Sequence, residues 1–199
     1  MNKKIGMVSS AINLTAIIGF ALCMPIKLNF GSYFFSMFIA FSFVPMMWAY
    51  AYFSERKCKL AGYVSAGFAA MYGTIILLVY FAQLTTVRQD HLTKQAFILL
   101  DFQQFGLLFN YDLLGYGLMA LSTFFAGLTV DIKSGTDKWL KRLLLIHGIF
   151  FISCLIVPML GVFSAEGEGG TGVAVLEFWC VYFIPISIFS ILHFAKCEE

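Results

Sequence analysis

The chain has 199 residues, of which 60% are hydrophobic and 12% charged, with a mean hydropathy of +0.86. That is too apolar for a water-soluble core, since soluble domains carry about a quarter charged residues. A net charge of +2 gives no electrostatic footing for nucleic acid. The lipid bilayer is the solvent that fits, and the length holds about six spans of roughly 20 residues with short loops.

A short basic start, residues 1–4, precedes a first apolar run over 5–24. The run is long for a signal-peptide core, and Leu22 before Cys23 is too large for a lipoprotein cleavage site, so a retained helix ending at Pro25 is expected. Ala11, Thr15, Gly19 and Cys23 form a four-spaced small-residue stripe, the pattern that lets membrane helices approach closely. Asn13 is read as an interhelical hydrogen bond within this run. The second run covers 33–53 and contains Pro45, which a membrane helix tolerates when neighbours satisfy the freed carbonyl. A basic turn at 54–59 leads to the third run, 60–84, with a second small stripe at Ala61, Ser65, Ala69 and Gly73.

Residues 83–117 form the one long polar-bearing interruption. Within it, Ile98, Phe102, Phe105 and Phe109 recur at helical spacing opposite Asp101 and Gln104. The spacing predicts an amphipathic helix over 95–109, too short to span and suited to lie in the membrane interface. The fourth run is 113–130, followed by a basic loop at 131–142 with Trp139 as an interface anchor. The fifth is 143–163, with Pro158 near its far end. An acidic loop, 164–172, leads to the sixth run, 173–194, which contains Pro185 and ends in a polar tail. The fold expected is therefore all-α: one six-helix transmembrane domain over residues 1–199. Pro45 and Pro158 both fall late in a middle helix of each half, but the rest of the halves do not align and no repeat is inferred.

Strict alternation places Lys3, Lys4, Arg56, Lys57, Lys59, Lys133, Lys138, Lys141, Arg142 and Lys196 on one face. Of the 13 basic residues, only Lys27, Arg88 and Lys94 are left for the other. By the positive-inside rule the first face is cytoplasmic, with both termini inside. The expected location is the cell (inner or plasma) membrane.

With that topology, Gln83, Arg88, Asp101, Asp112 and Glu177 gather near the outer ends of helices three, four and six, and the candidate ligand contacts are Gln83, Arg88, Asp112, Tyr116 and Glu177. Ionisable groups there are costly unless they pair or face water. Arg88 with Asp112 or Glu177 makes either a ligand-binding cup open to the outside or, more plainly, a structural ion pair at the lipid–water boundary. His147 and His193 fall near the inner ends of helices five and six. Two imidazoles on adjacent helices could ligate haem or a metal, but two interfacial histidines that meet nothing are commoner, and no cofactor or metal is expected. The five cysteines show no CxxC and no zinc spacing; Cys154 and Cys180 read as small core residues. No HExxH, GxSxG, Walker loop or Asp-rich magnesium motif is present, and the enzyme reading is the weaker one.

The pairing of residues 83–88, QLTTVR, with Leu114-Gly115-Tyr116-Gly117 and then a basic loop resembles six-span bacterial membrane proteins of no assigned activity. The resemblance covers the second half best and implies a fold, not a chemistry. In size and topology the chain is also similar to the substrate-binding subunits of energy-coupling-factor vitamin transporters. It lacks the Ala-x-x-x-Ala pairs by which those subunits dock their partner. Three readings follow. The first is binding or transport of a small molecule, solute or lipid-like, through the outward cup. The second is a non-catalytic subunit or sensor that docks a partner membrane protein. The third is an intramembrane enzyme acting on a lipid or quinone, with Glu177 as its acid or base.

Overall fold

A computed structural model describes residues 1–89, 91–161 and 170–197, the side chains of 170–172 excepted. Every regular element among them is helical. Six helical segments are long and apolar enough to cross a membrane.

Helix α1 (Asn2–Cys23) stops ahead of Pro25, and the chain reverses in a turn where Lys27 takes the left-handed conformation (φ 56°). Helix α2 (Asn29–Phe53) runs through Pro45 without a break. Lys59 then reaches back to the Tyr52 carbonyl at 2.7 Å, a basic side chain on the C-terminal end of α2. Helix α3 (Lys59–Leu84) completes a tightly packed hairpin with α2. Gly62 makes that approach possible, since a Cβ there would lie 2.8 Å from the Ala51 backbone Cα.

The segment between the third and fourth spans differs from the single amphipathic helix expected over 95–109. It forms a short helix α4 (Lys94–Leu100), a 3₁₀ turn (Phe102–Gln104) and the start of α5 (Leu107–Thr129). Asp101 is the reason for the first break. It caps the 3₁₀ turn through the Gln103 N–H (3.4 Å) and accepts from the Gln104 amide (3.3 Å), a local bond that competes with helix continuation. Phe105 makes the second break, in the left-handed conformation (φ 54°). Helical spacing in the sequence is thus shared among three elements. Because α5 begins at Leu107 and not near 113, Asp112 lies inside the fourth span.

The basic stretch 131–142 is also shorter as a loop than expected, because α6 (Gly135–His147) starts within it, capped by the Ser134 hydroxyl. The fifth span is discontinuous. Between α6 and α7 (Phe150–Met159), the N–H groups of Gly148, Ile149, Phe151 and Ile152 bond three residues back at 3.0–3.2 Å. Short 3₁₀ stretches of this kind mark hinges in long helices. Helix α8 (Gly170–Lys196) closes the bundle. Of the acidic stretch 164–172, residues 164–169 lie outside the described residues and the last three open α8; Glu198 and Glu199 also lie outside them.

The helices pack as a ring. α1 lies between α8 and α2, α3 joins α2 to α5, and the fifth span joins α5 to α8 through α6. Helix α5 is the most enclosed, with 67% of its most apolar window buried against 11% for the fifth span. Polar side chains pin the ring together. Asn13, fully buried, donates to the Ile39 carbonyl (3.1 Å) and the Ser42 hydroxyl (3.0 Å) and accepts from Ser187 (3.1 Å), so it joins α1, α2 and α8. Ser65 and Ser122 exchange hydroxyl–carbonyl bonds at 2.8 Å across α3 and α5. The second small stripe therefore packs through Ser65, Ala69 and Gly73, which are buried. The first does so only in part: Ala11 and Thr15 are exposed, and α1 turns its Ser9, Ser10, Asn13, Ala16 and Ile17 face inward.

Candidate functional site: a buried polar cluster at one end of the bundle

The basic turn after α2, the α5–α6 turn and the end of α8 meet at one end, where Glu55, Asp131, Lys133, Asp137, His193 and Lys196 surround a cavity of about 80 Å³. This end is self-satisfied. Asp137 pairs with His193 at 3.0 Å, and Lys196 donates to Ser134 and Thr136 at 2.9 and 3.0 Å. The Glu55–Lys57 pair on its rim is fully exposed; the lysine ammonium holds the Glu55 carboxyl below its usual value, and such pairs contribute little.

The opposite end carries the candidate site. Asp112 and Tyr116, one turn apart on α5, are 3% and 7% exposed. The Tyr116 ring lies edge-on between Tyr72 of α3 (5.9 Å) and Trp179 of α8 (5.3 Å). The Tyr80 hydroxyl of α3 faces both the Asp112 carboxyl and Ser36 of α2. Yet Asp112 Oδ1, Ser36 Oγ and the Tyr72 and Tyr116 hydroxyls have no hydrogen-bond partner among the described residues. Four buried oxygens on three helices thus gather at this end, two of them near the Tyr80 hydroxyl, without a hydrogen bond of good geometry.

The 94–104 segment lies over this cluster as a lid. Phe102, in the 3₁₀ turn, packs on Tyr33 (5.9 Å), Tyr80 (5.9 Å) and Phe109 (5.1 Å). Gln83 holds the lid: its amide donates to the Leu100 carbonyl (2.7 Å) and its carbonyl accepts from the Phe102 N–H (3.1 Å). Both ends of one amide are used on the backbone of one turn, so Gln83 is fully committed to fixing it.

Of the five residues singled out from sequence, the structure brings Asp112 and Tyr116 together and sets Gln83 at the lid. Arg88 is exposed, its guanidinium 5.1 Å from the Phe30 ring centroid. Among the described residues it forms no ion pair with Asp112 or Glu177. Glu177 lies one turn along α8 from Cys180 and keeps a buried, unpartnered Oε1, but no bond joins it to Asp112 or Tyr116. Sequence reasoning missed Ser36, Tyr72 and Tyr80. Tyr72 and Tyr80 lie on the buried face of α3, eight residues apart, and that helical spacing was the available signal.

The two weighed histidines do not meet. His147 sits at the break in the fifth span, bonded to Thr123 (2.7 Å) and to the Trp179 indole N–H (3.0 Å). His193 pairs with Asp137 and stacks on Tyr50. Neither is the partnerless interfacial histidine expected. Among the described residues, no group of three or more His, Cys, Asp or Glu side chains could hold a metal ion.

No family model, curated protein or solved structure matches this chain. The class defined by the fold is a six-helix bundle whose helices suit a membrane.

Proposed function

We propose that the chain is a multi-pass membrane protein that binds a small molecule at the polar cluster beneath the 94–104 lid, as a receptor or a carrier. The observation that supports it is the set of unpartnered buried oxygens on Ser36, Tyr72, Asp112 and Tyr116. Each unsatisfied buried polar atom costs about 1–3 kcal/mol. Four together are a large cost at one end of the bundle; among the described residues the one other such atom is Glu177 Oε1 on α8. A ligand that donates to Asp112 and accepts from the tyrosines relieves that cost. In this reading Asp112 and Tyr116 are ligand contacts, Gln83 positions the lid, and the lid end faces away from the cytoplasm with both termini inside. The lid's exposed Phe97, Ile98 and Leu99 suit the membrane interface.

The test is native mass spectrometry of the protein released from mild detergent, beside Asp112→Asn and Tyr116→Phe. A discrete small-molecule adduct on the parent chain, lost from both variants while they keep helical content and monodispersity, supports the reading. A bare parent chain, or variants that retain the adduct, sinks it. A second reading, a subunit docking a membrane partner, draws on the apolar groove of about 630 Å³ between α1 and α2 lined by Ile5, Val8, Ile12, Phe38 and Phe41. A co-purifying polypeptide in the same spectrum would favour it.

A further inference from the structure

We infer that Asp112 is a proton-binding site, and that its proton exchanges with water at the lid end when the 94–104 segment lifts. The inference concerns the cluster described above but needs no small molecule there, since a proton requires no cavity.

The surroundings of the carboxyl carry the first half. Two aspartates are buried among the described residues, Asp112 and Asp137. Asp137 has a basic partner in His193 at 3.0 Å. Asp112 has none. It lies within α5, the most enclosed span, and its Oδ1 is unpartnered. The titratable groups within electrostatic reach of it are Tyr33 on α2, Tyr72 and Tyr80 on α3, Tyr116 on α5 and Cys154 on α7. From α8, Cys180 reaches Tyr116, with Glu177 beside it. From the lid, Asp101 reaches Tyr33. None of these groups is a cation. An isolated carboxylate in an apolar interior is so costly that the group takes up a proton instead. Asp112 in the closed bundle is therefore the neutral acid. An amide such as that of Asn13 would fill the place as well, but it has no proton to lose. Ionisable side chains inside a span, free of a counter-charge, are the usual carriers of protons in membrane proteins.

The second half comes from Tyr80, which touches both the lid and the carboxyl. Its ring packs on Phe102 of the lid at 5.9 Å, and its hydroxyl faces Asp112 and Ser36. Gln83, three residues further along α3, fixes the same turn of the lid through its bonds to Leu100 and Phe102. Lifting the 94–104 segment uncovers Tyr80 and opens Asp112 to water. The proton then passes to a water molecule and leaves a hydrated carboxylate; closure needs the proton back. Raising the pH therefore draws the lid open and lowering it shuts the lid. By reciprocity, whatever loosens the lid weakens the hold on the proton.

The experiment uses the full chain in lipid nanodiscs. Infrared spectroscopy follows the carbonyl band of a protonated carboxylic acid as the pH is raised. Hydrogen–deuterium exchange, corrected for the intrinsic rate, follows residues 94–104. The expected result is a protonated band near pH 7, where an ordinary aspartate, with a pKa of about 3.9, is ionised. Carboxyl-¹³C aspartate should shift that band in the parent chain, which assigns it without any substitution, and Asp112→Asn should abolish it. Gln83→Ala, which frees the lid, should lower the pH at which the band is lost by about one unit, a tenfold weaker hold on the proton. Lid exchange should rise with pH in the parent chain and lose that dependence in Asp112→Asn. No protonated aspartate band near pH 7, or one that survives Asp112→Asn, overturns the proton site. An Asp112 band with lid exchange indifferent to pH and to Asp112→Asn overturns the lid as its gate. A bare chain in the native spectrum with the band present removes the small-molecule reading and leaves the proton site standing; an adduct without the band does the reverse.

Discussion

Asn13 shows what a single polar residue does inside an apolar bundle. Its amide serves three partners on two neighbouring helices, with both the donor and the acceptor end used. In hydrocarbon no water competes for those bonds, yet measured values for such contacts in membrane proteins average only ~0.6 kcal/mol and reach ~1.7. Asn13→Ala is therefore expected to lower stability by about 1–2 kcal/mol, read from the detergent-unfolding midpoint; an unchanged midpoint would show that Ser42 and Ser187 find other partners. Asp112 is the contrasting residue, equally buried but left with a free oxygen. The difference between a satisfied Asn13 and an unsatisfied Asp112 is what separates a fastener from a candidate site.

At the scale of the element, glycine decides how closely helices approach. On α3, Gly62 faces the α2 backbone, and no side-chain rotation can relieve a Cβ placed against the Ala51 Cα. Gly67, five residues on, is exposed with nothing within 4 Å of an added Cβ. Gly62→Ala should cost about 1–3 kcal/mol through forced separation of α2 and α3. Gly67→Ala should be neutral or stabilising by up to about 1 kcal/mol from helix propensity. Thermal denaturation of the two variants side by side checks both, and equal midpoints would mean that the α2–α3 contact is looser than drawn. The fifth span shows the reverse use of sequence. Its apolar run reads as one helix, but Gly148, crowded by Phe124, and the His147 bonds to Thr123 and Trp179 fix a hinge there. Pro158, expected near the far end of this run, lies inside α7, one residue from its end.

For the molecule as a whole, the two ends differ in kind. One end gathers the turn after α2, the α5–α6 turn and the end of α8 around paired charges; the other gathers aromatic rings around unpaired oxygens. In the proposed topology the first end, richer in basic residues, is the cytoplasmic one. Single cysteines introduced at Lys133 and Gln89 in a chain freed of its native cysteines test that assignment. The expected outcome in intact cells is that a membrane-impermeant maleimide labels Gln89→Cys at once and Lys133→Cys only after permeabilisation. The opposite order would invert the topology and place the cluster on the cytoplasmic side.

The amino-acid sequence determined by itself that this chain forms six apolar helices, where five of the six end to within a few residues, and which end concentrates positive charge. These follow from composition and run length, because a bilayer accepts a helix on its average hydrophobicity. Asn13 as a cross-helix bond was legible for the same reason: an amide in hydrocarbon has no other outlet. Only the tertiary structure decided which polar groups meet. Arg88 and Asp112 looked like partners by charge and shared end, but Asp112 faces the bundle axis while Arg88 lies outside over Phe30. Tyr72, Tyr80 and Ser36 carried no charge to attract notice, and their convergence on Asp112 depends on how α2 and α3 rotate against α5. In a chain apolar on every face, periodicity cannot fix that rotation; close contacts such as Gly62 on Ala51 and Ser65 on Ser122 do.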